Sequence, residues 1–334
     1  MGFVAPDGLR LACLPLRANC PLPNAPLKDT PIHQPAGART LRTDNPTRGI
    51  VLLLISSIFM SCGDIASKYL ATDHPALQIT WMRYAVFAAI MMVTLASTGG
   101  FRQMRTRRPG LQIIRGIGVT LASIFFVAGL RDLPMADATA TSFVAPLFVT
   151  ALSIPLLGES VGWRRWLATI VGLIGVVIVV RPGGDGFHLA SLYVLASAAC
   201  WAFSLIITRM MSQTEVPVVT LAYSATIGFV ILSVFVPMSW EPLSGKTALI
   251  GLFIGTISTI GHLLLLQAFR HADASLLAPL AYSQLLWASL FGYLVFSAIP
   301  DLWTYVGASI IIASGLYTAH RERMRAKQIS ALRG

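Results

Sequence analysis

Ten apolar runs, each near the length needed to cross a bilayer and parted by short polar breaks, decide what this chain can fold into. They fall near residues 50–70, 76–97, 111–130, 137–157, 163–180, 189–209, 216–236, 247–268, 274–297 and 302–319. A helix needs about 20 apolar residues to cover the hydrocarbon core. The pattern predicts an all-α integral membrane protein of ten transmembrane helices. Composition agrees: 55% of the 334 residues are hydrophobic and only 12% are charged, about half the usual share for a soluble domain. That leaves too little polar surface to cover a large soluble core and excludes a soluble two-domain enzyme.

The net charge of +11 could suggest nucleic acid, so the placement of the cations matters. Cytoplasmic loops retain Lys and Arg. With the N-terminal segment inside, 17 of them fall on one side, including Arg102, Arg105, Arg107, Arg108, Arg115 and Arg270. The other side holds five, Lys68, Arg83, Arg131, Arg181 and Lys246. This bias accounts for the basic balance without a nucleic acid partner. It predicts a multi-pass protein of the cytoplasmic membrane with both termini inside. Residues 1–48 are Pro-rich, hold no apolar run of helix length and are expected to be a disordered cytoplasmic leader. Cys13, Cys20, Cys62 and Cys200 form no CxxC pair and point to neither a disulfide framework nor a metal site.

The chain also matches itself. Gly129-Leu130-Arg131 and Ala268-Phe269-Arg270 lie 139 positions apart, and the same step places Leu157-Gly158-Glu159 on Phe296-Ser297-Ala298. Lys68 matches Arg209 at a similar step. Spans one to five therefore repeat as spans six to ten, and an odd number of spans makes the second copy enter upside down. The expected organisation is a leader (1–48), a first repeat (49–181), a second repeat (182–320) and a basic cytoplasmic tail (321–334). Inverted repeats are the architecture of secondary transporters, in which two halves exchange conformation around a central site.

Several motifs resemble a known family. They are Leu156-Leu157-Gly158-Glu159-Ser160, Arg164-Arg165-Trp166, Gly172-Leu173-Ile174-Gly175-Val176-Val177, Arg83, and Ala145-Pro146-Leu147. In the second half they are Ala278-Pro279-Leu280-Ala281-Tyr282 and Pro300-Asp301-Leu302-Trp303. Over residues 49–320 the chain is similar to EamA-type permeases of the drug/metabolite transporter superfamily. The resemblance implies two inverted five-helix repeats around a central cavity, with spans five and ten at the periphery. It departs at Ala298, where the second half of such proteins usually carries a Glu matching Glu159.

Ionisable groups inside a span are functional candidates by default. Asp64 lies about 9 Å and Arg83 about 10 Å along their helices from the same end of spans one and two, and Lys68 is one helical turn from Asp64. An Asp64–Lys68–Arg83 cluster could bind a zwitterionic or carboxylate substrate, or carry a coupling proton on Asp64. The alternative is a structural ion pair with Lys and Arg reaching to the interface. Gln284, about 16 Å into span nine, and Tyr282 beside it are the midplane candidates. Pro146 and Pro279 are candidate helix breaks, serving either a site or packing. His262 and Gln267 rank lower, and Trp201, Tyr223 and Trp287 could line an aromatic cavity. Glu159, Arg164 and Arg165 read as a structural loop salt bridge. There is no GxxxxGK[ST] loop and no HExxH or GxSxG motif, so neither ATP-driven pumping nor enzymatic activity is expected, and no cofactor or metal is implied. The expected function is secondary transport of small organic metabolites such as amino acids, with export first. Uptake of a vitamin- or nucleoside-like metabolite is the alternative; a lipid flippase or membrane enzyme is the reading from another class.

Overall fold

A computed structural model describes residues 45–98, 105–158, 163–181, 188–212, 214–272 and 274–331. The chain divides into two units, Met1–Leu41 and Arg42–Gly334; the first, and with it nearly all of the expected leader, lies outside the described residues. Every element among the described residues of the second is helical: α1 (Pro46–Leu70), α2 (Ala76–Thr98), α3 (Pro109–Asp132), α4 (Met135–Ser142), α5 (Ala145–Leu157), α6 (Trp163–Val180), α7 (Ala190–Met211), α8 (Pro217–Phe235), α9 (Gly245–His271), α10 (Ala274–Ala281), α11 (Ser283–Phe296) and α12 (Leu302–Ala331). With α4–α5 and α10–α11 each forming one interrupted span, these are the ten segments expected. Boundaries follow local chemistry. The α1 helix starts at Pro46, ahead of the apolar run, because the Asn45 side chain accepts from the Arg48 N–H and Pro sits in the first turn.

The second repeat is inverted. Near the Pro109 end of α3, Gly118 lies against Ser204 of α7, and near the other end Gly129 lies against Ala190 and Val194. So α7 runs opposite to α3, and therefore opposite to α1. Equivalent contacts recur: Ser56 on α1 donates to the Gly261 carbonyl on α9, and Ser197 on α7 donates to the Ala122 carbonyl on α3, both at 2.7 Å. These are one bond made twice, since Ser197 occupies the position of Ser56 and Gly261 that of Ala122 in the register that matches Lys68 with Arg209 and Gly129 with Ala268. The fourth and ninth spans also end alike, on a left-handed residue, Gly158 (φ 67°) and Ser297 (φ 53°).

Most hydroxyls inside the spans donate to the carbonyl one turn back, as Ser67, Thr120, Ser204 and Thr259 do, so they add little polarity to an apolar interior. The α6 and α12 helices pack chiefly on each other. Gly175 and Gly307 meet there, where a Cβ on either would lie 2.8 or 2.6 Å from the other's carbonyl oxygen. The remaining helices enclose the centre.

Candidate substrate site

The centre is framed by α2 and α3 of the first repeat and α8 and α9 of the second. Between them lies a cavity of about 60 Å³, room for a handful of waters and far less than an organic ligand needs. Arg83, Tyr84 and Phe87 reach it from α2, Arg115 and Ser123 from α3, Ser224 from α8, Ser258 and His262 from α9, and Trp201 from α7.

Arg83 is held on two sides. Its Nη2 donates to Asp64 Oδ1 at 3.0 Å, and Nε and Nη2 donate to Ser258 Oγ at 3.1 and 3.0 Å. Asp64 is buried, with 6% of its surface exposed. The pair joins α1, α2 and α9. Gly63, against Ser258 Oγ and close to the Arg83 guanidinium, leaves the space in which they meet. His262 follows one turn along α9. Its Nδ1 lies 2.9 Å from the Ser258 carbonyl, an acceptor, so Nδ1 carries the proton and Nε2 keeps its lone pair in the neutral ring. Phe87 stacks on this imidazole at 6.2 Å.

Arg115, placed above with the loop cations, belongs to the interior of α3. It lies six residues beyond Pro109, about 9 Å along the axis, and is buried. Its Nε donates to Thr208 Oγ1 at 2.7 Å, and Nη1 to the Thr220 carbonyl at 3.4 Å and to Ser224 Oγ. Ser224 holds in the second repeat the position that Arg83 holds in the first. One guanidinium thus comes from each end of the cavity, Arg83 on α2 and Arg115 on α3.

The other sequence candidates divide. Lys68 leaves Asp64 and donates to the Leu130 and Leu133 carbonyls, both at 2.6 Å, with its ammonium 5.4 Å from the Phe296 ring centre. It caps the end of α3, where a cation is favoured by the helix dipole and by free carbonyls. Tyr282 sits at the interruption between α10 and α11, its ring 4.8 Å from Phe143 at the interruption between α4 and α5. The two breaks are equivalent positions of the repeats and touch. Gly315 makes room for the Tyr282 hydroxyl, so this side chain turns towards α12 and away from the cavity. The Gln284 carbonyl accepts from Ser61 at 3.5 Å. Pro146 lies in the first turn of α5 and Pro279 in α10. Pro146 has no N–H for the Ser142 carbonyl, and the chain tightens at Phe143 and Val144 into i→i−3 bonds. Glu159 lies outside the described residues, as do the side chains of Arg164 and Arg165, which fall in the first turn of α6.

Sequence reasoning passed over Arg115, Ser224 and Ser258. The two serines give no signal among so many. Arg115 did give one, since it lies inside the run 111–130, and the rule that singled out Arg83 applies to it equally.

The EamA-like transporter family model matches residues 47–181 and again residues 188–318. The chain belongs to this family. The S-adenosylmethionine uptake transporter of Rickettsia felis is 30% identical over 82% of this chain and 93% of its own length. The riboflavin transporter of Vibrio cholerae is 25% identical over 85% and 97%. A pseudopaline exporter of Pseudomonas aeruginosa is 23% identical over 80% and 94%. The EamA-type resemblance seen in the motifs is thereby established, and the protein is a multi-pass membrane transporter.

Proposed function

We propose that this EamA-family member takes up a small organic metabolite across the cytoplasmic membrane, with both termini inside, by rocking its two inverted halves (residues 49–181 and 182–320) about the cavity between α2, α3, α8 and α9. One observation carries the reading: helices of both repeats contribute equally to a cavity between them that is lined by Arg83, Arg115, His262 and aromatic side chains. Such a site can open to either side only if the halves move against each other. Uptake is preferred to the export first expected, because relatives near 30% identity over nearly their whole length are named for uptake. The exporter among the relatives keeps export as the second reading.

In this mechanism Asp64 and Arg83 form a latch at one end of the cavity, joining α1 and α2 to α9 when it is closed. Substrate or a proton that neutralises either partner releases the latch. The touching interruptions at Phe143 and Tyr282, with Pro146, Pro279 and Gln284 beside them, are the points where the long spans flex. The test is reconstitution of the full chain in liposomes. Radiolabelled S-adenosylmethionine or riboflavin should accumulate inside above protein-free liposomes, with and without an imposed proton gradient. Efflux from loaded vesicles without matching influx would favour export, and lipid scrambling without solute movement would refute the reading.

A further inference from the structure

We propose that Arg115 anchors an anionic group, a carboxylate, on the transported metabolite. The inference rests on the transport reading above and names the chemistry that its cavity recognises. Arg115 is 9% exposed and lines the cavity. All its partners are neutral: Thr208, the Thr220 carbonyl and Ser224. Among the described residues no carboxylate pairs with it, and its Nη2 makes no hydrogen bond to them. Arg83 differs, because Asp64 compensates it at 3.0 Å. Two guanidiniums thus line the cavity, and among the described residues only that of Arg83 has a carboxylate partner.

A buried cation without a counter-ion is expensive in protein and more so in a membrane. A hydrogen-bonded serine or leucine would serve packing at Arg115 as well, so its cost calls for a compensating partner that comes and goes. Snorkelling does not account for it, because the guanidinium is tied to the Thr220 carbonyl and the Ser224 hydroxyl of α8 and to Thr208 of α7 in place of water. Those bonds fix the plane of the group through Nε and Nη1 and leave Nη2 for a ligand. Its two N–H groups can give a carboxylate oxygen a charge-assisted hydrogen bond. Across the same cavity, His262 Nε2 offers a lone pair and the Phe87 ring a flat apolar face. The metabolite so described is a small organic acid or zwitterion. Its carboxylate lies on Arg115, and a hydrogen-bond donor on a planar ring lies towards His262.

The full chain in liposomes tests this with S-adenosylmethionine against its decarboxylated analogue, and with a panel of carboxylated metabolites each set against its primary amide. The wild type should favour the carboxylate of the transported pair by about 10- to 100-fold in half-saturation, the range for a charge-assisted hydrogen bond. Arg115→Gln should lose that preference while staying monodisperse, and Arg115→Lys should keep part of it. The wild-type comparison stands even if a variant fails to fold. Equal handling of acid and amide, transport of uncharged compounds alone, or an unchanged preference in Arg115→Gln would overturn the inference and leave the transport reading in place. Transport of no metabolite by the wild type would overturn both.

Discussion

Replacing Asp64 by Asn tests the latch most directly, because it removes one charge and keeps the shape. At 3.0 Å and an effective dielectric constant of about 20, the attraction is about 5–6 kcal/mol. Both groups were desolvated to meet, so the net worth of the pair is smaller. Removal of one partner, however, strands the other, which costs about 3–5 kcal/mol. Asp64→Asn and Arg83→Gln should therefore each lower the melting temperature of the detergent-purified protein by at least about 6–10 °C, at roughly 2 °C per kcal/mol for a chain this long. The double variant strands no charge, so it should regain most of that loss, with a coupling energy above about 2 kcal/mol across the cycle. Ser258, which accepts from the same guanidinium, softens the Asp64→Asn effect without abolishing it. Melting followed by intrinsic fluorescence in one detergent supplies all four corners. Singles within 1 °C of the wild type, or a double equal to their sum, would refute the claim that the two charges compensate each other. The charge-swapped pair then separates roles. Asp64→Arg with Arg83→Asp restores protein level and transport if the pair is only structural, and level alone if either residue meets substrate or proton.

Reporter fusions after Arg108 and Lys327 should read as cytoplasmic and one at Gly184 as external; an external signal at Arg108 would reverse the assigned orientation. Gly307→Val places a side chain where a Cβ already lies 2.6 Å from the Gly175 carbonyl, and overpacking of that kind costs about 1–3 kcal/mol. An unchanged melting temperature would mean that α6 and α12 do not depend on this approach. The Asp301 carboxylate lies just before α12. Partial burial raises its pKa, but hydrogen bonds from the Thr304 N–H and hydroxyl and from Arg181, with the Arg181 charge, outweigh this and hold it below the ordinary range. A depressed folded value means that the carboxylate stabilises the fold above the unfolded pKa of about 4 and ceases to as pH falls through the folded value. The melting-temperature gap between wild type and Asp301→Asn should be constant near neutrality and close below about pH 4; a gap that widens in acid would contradict the assignment.

Much of the architecture was legible because lipid imposes a one-dimensional constraint. Each span must be apolar over a fixed length, so the run at 76–97 became α2 and that at 302–319 the start of α12. The repeat was legible for a related reason: two copies must pack the same helices against each other, which preserves small residues such as Gly129 and Ala268 at matching contacts. The break near Pro146 follows from a missing N–H. The break at Tyr282 falls three residues beyond Pro279, which itself lies inside α10, and its exact place emerges only as the partner of Phe143 across the two repeats.

Charge placement was harder, because it depends on which face of a helix meets which neighbour. Asp64 and Lys68 share a face in sequence, and that spacing predicts one cluster with Arg83. Yet α3 ends beside Lys68 and offers carbonyls that draw the ammonium away, whereas α9 brings Ser258 up to Arg83 and completes its shell. Arg115 lies inside the run 111–130 but near its edge, where sequence also allows a cation that reaches to the interface; α8 supplies Ser224 and the Thr220 carbonyl and turns it inward. The sequence by itself determined the number, length and inverted order of the helices, because those follow from hydrophobic length and from self-similarity along one chain. Only the tertiary structure decided which charges are paired and which face the cavity, because that depends on neighbours 62 to 175 residues away, whose carbonyls and hydroxyls compete for the same few donors.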